Sequence, residues 1–251
     1  VGNVGSINGF IIGTSLGLTS GFTISVAQAY GARKFDKMNK YAGNSITLAF
    51  VIGMVIMIVA HFLSRPLLKA IDTPDDIIDM SAQYIDVLYY AVPIQMSLNN
   101  FNALSRAVGD SKRPLYFLIV SVIVNLLLDI LFVGAFKWGV IGAAWATAIS
   151  ELVAAVLSAI SVLKHTEEYN IDKTALKIDG KVSWAQIKIG IPISLQFSIT
   201  SIGSMVLQTA VNGFGSSVIA GFTAAGRVEQ LTNIPMSGLG VGNMTFVSQN
   251  Y

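Results

Sequence analysis

The sequence predicts an all-α integral membrane protein, and three observations carry that prediction. Hydrophobic residues make up 53% of the 251-residue chain and charged residues only 12%, for a mean hydropathy of +0.64. A soluble domain carries roughly 25% charged residues and could not cover this much apolar surface. The apolar residues also fall in blocks of about 20, the length that crosses a hydrocarbon core as a helix. Finally, the basic residues alternate between successive loops.

Apolar runs bounded by charge, Gly or Pro predict seven spans, near residues 4–30, 42–63, 84–105, 115–136, 138–163, 189–212 and 218–251. The loops at 31–41, 106–114 and 164–188 hold Arg33, Lys34, Lys37, Lys40, Arg106, Lys112, Arg113, Lys164, Lys173, Lys177, Lys181 and Lys188. The loops between them hold only Arg65, Lys69 and Lys137, and Asp72, Asp75, Asp76 and Asp79 crowd the first of these. The positive-inside rule makes the basic set cytoplasmic and puts residue 1 outside, in a multi-pass protein of the cell membrane. The loop at 164–188 mixes charges with Ile171, Leu176, Ile178, Val182 and Trp184, which fits either a helix along the membrane surface or a plain linker. There is no initiator Met and no signal-peptide pattern, so Val1 is expected to mark a boundary within a longer chain.

The chain also repeats itself. Residues 17–30, GLTSGFTISVAQAY, and 238–251, GLGVGNMTFVSQNY, agree at six of fourteen positions, including polar ones. If first and last spans are equivalent, one repeat holds six helices, and an even number gives both copies the same orientation. Parallel repeats of this kind build secondary transporters around a central cavity. The first span further places Gly5, Gly9, Gly13, Gly17 and Gly21 at intervals of four, one small-residue face suited to static packing or to sliding.

Asp129 is the most informative residue. It interrupts the run VSVIVNLLLDILFVG, where an ionised carboxylate costs roughly 2.5 to 3.5 kcal/mol on insertion scales. Ser121, Asn125 and Asp129 share one helix face and offer hard oxygen ligands for Na⁺, or a protonatable group; a carboxyl kept protonated and hydrogen-bonded is the alternative. Thr147 on the next span sits at a compatible depth. On the third span Gln95, Asn99, Asn102 and Arg106 form a polar face, and on the sixth Gln196, Thr200, Ser204, Gln208 and Asn212 form an uncharged stripe suited to amphipathic cations. With no cysteine, thiolate sites are excluded, and His61 and His165 stand alone, so no metal constellation is expected. No P-loop, dinucleotide fingerprint or nucleophile elbow is present, so an ATP-driven pump or an enzyme is unsupported and no cofactor is expected.

The segments GTSLGLTSGFTISVAQAYGARK, NNFNALSRAVGDSKRP, VNLLLDILFVG and WGVIGAAWATAIS, in this order and spacing, resemble the multidrug and toxic compound extrusion (MATE) family. The resemblance runs along nearly the whole chain. It implies parallel six-helix repeats in two lobes, of which only part is present here, about helices 2 to 8 of 12. Residues 1–163 would then be helices 2–6 of the amino-terminal lobe, 164–188 the cytoplasmic interlobe linker, and 189–251 helices 7 and 8, with helices 1 and 9–12 of the same chain needed to complete the protein. It also implies export of small amphipathic or cationic compounds through the bilayer, driven by Na⁺ or H⁺, with no nucleic-acid partner. Similarity to the DNA-damage-inducible-type branch implies a coupling site at Asn125 and Asp129, which would also be the Na⁺ ligands, with Thr147 and Asn102 in support. Gln95, Asn99, Gln196, Thr200, Ser204 and Gln208 would face substrate. That branch also has an acid on its first helix, which would precede Val1. Another branch has a Glu eight residues after a Pro on helix 7, where this chain has Thr200 after Pro192. A flippase for lipid-linked oligosaccharide or polysaccharide is the rival reading, for which a more basic cavity is expected.

Overall fold

Charged and Gly/Pro-containing connections divide the chain into seven long α-helices among the described residues: α1 (Gly2–Gly31), α2 (Phe35–Ala70), α3 (Asp75–Ala107), α4 (Lys112–Asp129), α5 (Gly139–Lys164), α6 (Gly180–Asn212) and α7 (Ser216–Asn250). The computed structural model describes residues 2–70, 75–164, 169, 171, 174–212 and 216–250. A six-residue π-helical segment, Ile130–Ala135, continues α4. Four stretches among the described residues, Gly9–Gly31, Phe35–Pro66, Lys112–Ala135 and Gly139–Lys164, are long and apolar enough to cross a membrane. Helices α3, α6 and α7, of 33, 33 and 35 residues, overlap the other three expected spans but are not among these four stretches.

Helices α2, α3 and α6 begin or end well beyond the apolar blocks, because flanking polar residues keep the backbone ladder going past the hydrocarbon. Asp179 shows where α6 starts: its Oδ1 accepts the N–H groups of Lys181 (2.9 Å) and Val182 (3.2 Å), capping the first turn. The described part of 164–188 therefore contains a turn at 174–176 followed by α6 from Gly180, rather than a separate surface helix.

Pairings across the helices alternate in direction as a multi-pass chain requires. Gln95 bonds Glu151, and seven residues further along both helices Ser158 bonds Asn102, so α3 and α5 run parallel. Thr14 pairs with Ser198, while Gly17 and Gly21 lie against Ser194 and Gly190, so α1 and α6 run antiparallel. The glycine face of α1 is thus a helix–helix seam: a Cβ at Gly17 or Gly21 would collide with the α6 backbone. The seam opens toward the start of α1, where a Cβ at Gly13 would stand 3.3 Å from Phe197 and one at Gly9 would meet nothing within 4 Å. At the other end Gly31 lies against the backbone of Gln249 on α7, and the Gln249 amide donates to the Ala107 carbonyl at 2.7 Å.

Three apolar clusters among the described residues hold the bundle, around Val26, Met38, Leu104 and Val162, around Leu68, Ile85, Tyr89 and Met96, and around Phe22, Leu48 and Ala49. Between them and α6 sits a buried polar knot. Asn44 donates to Gln186 (2.8 Å) and Ser183 (3.1 Å) and accepts from the Asp179 N–H (2.9 Å), and Gln186 in turn donates to the Phe22 and Tyr41 carbonyls. The face of α4 that carries Ile123 and Leu127 is uncovered, these residues being 53% and 60% exposed, as a lipid-facing helix requires.

Candidate ion and substrate site

Three helices contribute polar side chains to one space, and α1 adds apolar ones at its edge. The α3 face at Gln95, Asn99 and Asn102 meets Ser121 and Asn125 of α4 and Thr147, Ser150 and Glu151 of α5, around a cavity of about 350 Å³. Ile12 and Leu16 of α1, with Leu98, Leu118, Val122 and Ala154, supply its apolar wall. Such a mixture of apolar lining and a few convergent polar groups is the usual chemistry of a small-molecule site.

Hydrogen bonds set the orientation of several of these groups. Gln95 Nε2 donates to Glu151 Oε1 at 3.4 Å, and the Ser158 hydroxyl donates to Asn102 Oδ1 at 3.2 Å. Ser121 donates to the Ser150 carbonyl (3.0 Å), which ties α4 to α5 beneath Asn125. Thr147 donates to the Ala143 carbonyl at 3.0 Å, which leaves the lone pairs of its oxygen free to act as a ligand.

Asp129 lies one turn beyond Asn125, where α4 gives way to the π segment, and it is not part of the cavity lining. Its Oδ1 is buried without a hydrogen-bond partner, and a buried acceptor left unpaired needs an explanation. A proton or a cation on that oxygen would supply one. The local widening of the helix to π geometry after Asp129 is itself a feature that recurs at functional sites.

Of the residues expected from sequence, Asn125, Thr147, Asn102, Gln95 and Asn99 therefore share one cavity, and Asp129 adjoins it by sequence. The α6 stripe is placed elsewhere. Gln196, Thr200 and Ser204 are exposed, and the two hydroxyls turn back on their own helix, Thr200 to the Gln196 carbonyl and Ser204 to the Thr200 carbonyl. The Gln208 side chain lies outside the described residues. His61 does not stand alone: its Nδ1 is 3.1 Å from Asp86 Oδ1. Still, no group of three His, Cys, Asp or Glu suited to a metal exists among the described residues. Glu151 was legible and overlooked, being an acid inside the apolar run WATAISELVAAVLS, the same signal that singles out Asp129.

Comparison with known proteins agrees with this architecture. The MatE family model matches residues 1–131, just over half of the chain. The "Probable multidrug resistance protein YoeA" of Bacillus subtilis (strain 168) is 30% identical over 247 residues, covering 96% of this chain and 53% of that protein. The chain spans about half the length of the curated relatives it matches. A solved outward-facing multidrug resistance MATE family transporter of the MOP superfamily superposes with a TM-score of 0.90 at 23% identity, covering 100% of this chain and 56% of the other. An inward-facing one superposes at 0.80 and 22% identity, covering 97% and 60%. This all-helical, multi-pass membrane chain belongs to the MatE family, whose members are transporters and not enzymes.

Proposed function

We propose that the chain forms part of a secondary active exporter in which Na⁺ or H⁺ entry drives the exit of amphipathic or cationic compounds. The observation that carries this reading is the buried, unpartnered Oδ1 of Asp129, one turn from the cavity where Asn125, Thr147, Asn102, Asn99 and Gln95 converge. In this reading residues 1–163 belong to an amino-terminal lobe, 164–188 to a cytoplasmic linker and 189–251 to a second lobe, with residue 1 outside the cell membrane.

The chemistry follows from electrostatics. Asp129 takes up a proton, or Na⁺ with the Asn125 and Thr147 oxygens as further hard ligands, at the outer side, and releases it at the inner side. Neutralising the carboxylate removes the cost of holding a charge among apolar helices and so favours one packing of the lobes over the other. Inward movement of one net charge, as in exchange for an uncharged substrate, is worth about 2.3 kcal/mol per 100 mV, enough to hold a gradient of tens-fold. One-for-one exchange for a monocation is instead driven by the ion's concentration gradient alone. A flippase for lipid-linked sugars would need cations facing a phosphate-bearing substrate, whereas the cavity's described lining holds no Lys or Arg and one carboxylate, Glu151.

The test is efflux of a fluorescent cationic dye from cells carrying the whole transporter, with the Na⁺ and pH gradients imposed separately. Wild type should export dye with one gradient, and Asp129→Asn should reach the membrane yet export none. Export by Asp129→Asn at the wild-type rate would sink the coupling role.

A further inference from the structure

Glu151 is the one acidic or basic side chain lining the cavity among the described residues, and no role in the coupling site accounts for it. It extends from α5 one turn below Thr147, and its single hydrogen bond in the structure comes from Gln95 at 3.4 Å, longer than a good charge-assisted bond. A carboxylate has room for about four hydrogen-bonding contacts, so most of its capacity is unused. Among the described residues no Lys or Arg lines the same cavity, and neither cavity-lining asparagine of α3 donates to Glu151.

Part of the remaining lining is apolar. Ile12 and Leu16 come from α1, and Leu118 and Val122 from α4. A carboxylate and several aliphatic side chains lining one space of about 350 Å³ complement a molecule with one delocalised positive charge and a bulky apolar body. A neutral amphiphile would use the apolar wall alone, and an anion would be repelled by Glu151.

We propose that Glu151 is the charge-selecting residue of the substrate cavity, binding the cationic centre of monocationic amphiphiles while Gln95 holds its carboxylate in place. The proposal rests on the exporter reading, and deepens it by separating two carboxylates: Asp129 carries the coupling ion, and Glu151 reads the sign of the cargo. Loss of charge at Glu151 should therefore change which compounds bind without removing the driving reaction.

The experiment uses the purified whole transporter and two probes of similar size, tetraphenylphosphonium as the monocation and triphenylphosphine oxide as the uncharged partner. Glu151→Gln keeps the side-chain length and can still pair with Gln95, so the fold is retained. Its Kd for tetraphenylphosphonium should rise at least about tenfold, the loss of a single charge contact, while its Kd for triphenylphosphine oxide changes less than about threefold. Glu151→Asp, which keeps the charge, should restore most of the preference for the cation. Equal weakening of both probes in Glu151→Gln, unchanged binding of the cation, or failure of the wild type to bind tetraphenylphosphonium at all would overturn the proposal. Loss of gradient-driven export of every compound in Glu151→Gln would likewise overturn it, by making Glu151 a coupling group. Failure of the exporter reading looks different: Asp129→Asn would retain driven export whatever the two probes report.

Discussion

Gln95 Nε2 meets Glu151 Oε1 across 3.4 Å, joining two parallel helices, α3 and α5, at the wall of a cavity that neither could form alone. Seven residues further along both helices, Ser158 meets Asn102. These two bonds fix how the polar face of α3 registers on α5, and the register brings Asn99, Asn102, Thr147 and Glu151 to one space. The consequences can be tested at the site and at the seams that support it.

Thr147 offers an oxygen to a bound ion while its proton is spent on the Ala143 carbonyl. Thr147→Val keeps the shape and removes the oxygen. Stability should fall by less than about 1.5 kcal/mol, the ordinary worth of one hydrogen bond. Half-saturation by the coupling ion should rise about tenfold, read from export rate against ion concentration.

Gly21 is pressed against Gly190 with no space for a side chain. Gly21→Ala forces α1 and α6 apart and should cost about 1 to 3 kcal/mol as an overpacked contact, seen as a lower midpoint of thermal unfolding in detergent. Gly9→Ala, at the open end of the same face, should not lower the midpoint and should raise it slightly, because Ala favours the helix.

Asn44 is fully buried and serves Ser183, Gln186 and the Asp179 N–H together. Asn44→Ala leaves these groups without partners and should destabilise by about 1 to 3 kcal/mol. Because the knot ties α2 to the start of α6, cross-linking between cysteines placed on those two segments should slow in the variant.

Asp179 lies outside the spans, and its carboxyl is held below the usual carboxylate range, first by the hydrogen bond from Lys40 at 2.7 Å and then by the Val182 N–H. The fold thus favours the ionised form. Its stabilising contribution is complete above the unfolded carboxylate pKa of about 3.9 and is lost as the pH falls through the lower folded value. The pair is solvent-exposed, so the effect is small and weakens with salt. Thermal midpoints from pH 6 to pH 3 should fall more for wild type than for Asp179→Asn, and the difference should shrink in high salt.

Much of this architecture is legible in the sequence, for physical reasons. Lipid requires continuous apolar helices, so span positions follow from composition, and the polar face of α3 could only turn inward. The cavity was only partly legible. Periodicity identifies the polar stripe at Gln196, Thr200 and Ser204 but says nothing of which helix covers it, and those side chains are exposed here. The π segment after Asp129 leaves no mark in the hydropathy pattern. Glu151 carries the same signal as Asp129, yet its partner Gln95 is 56 residues away, and only packing reveals the pair.

The most direct test of the account is the reverse reaction in proteoliposomes containing the whole transporter. By linkage, a substrate gradient must be able to drive the coupling ion uphill. With tetraphenylphosphonium loaded on one side, wild type should move Na⁺ or H⁺ in the opposite direction and Asp129→Asn should move neither. Substrate movement without ion movement in wild type, or undiminished ion movement in Asp129→Asn, would contradict the central claim that this carboxylate carries the exchanged ion.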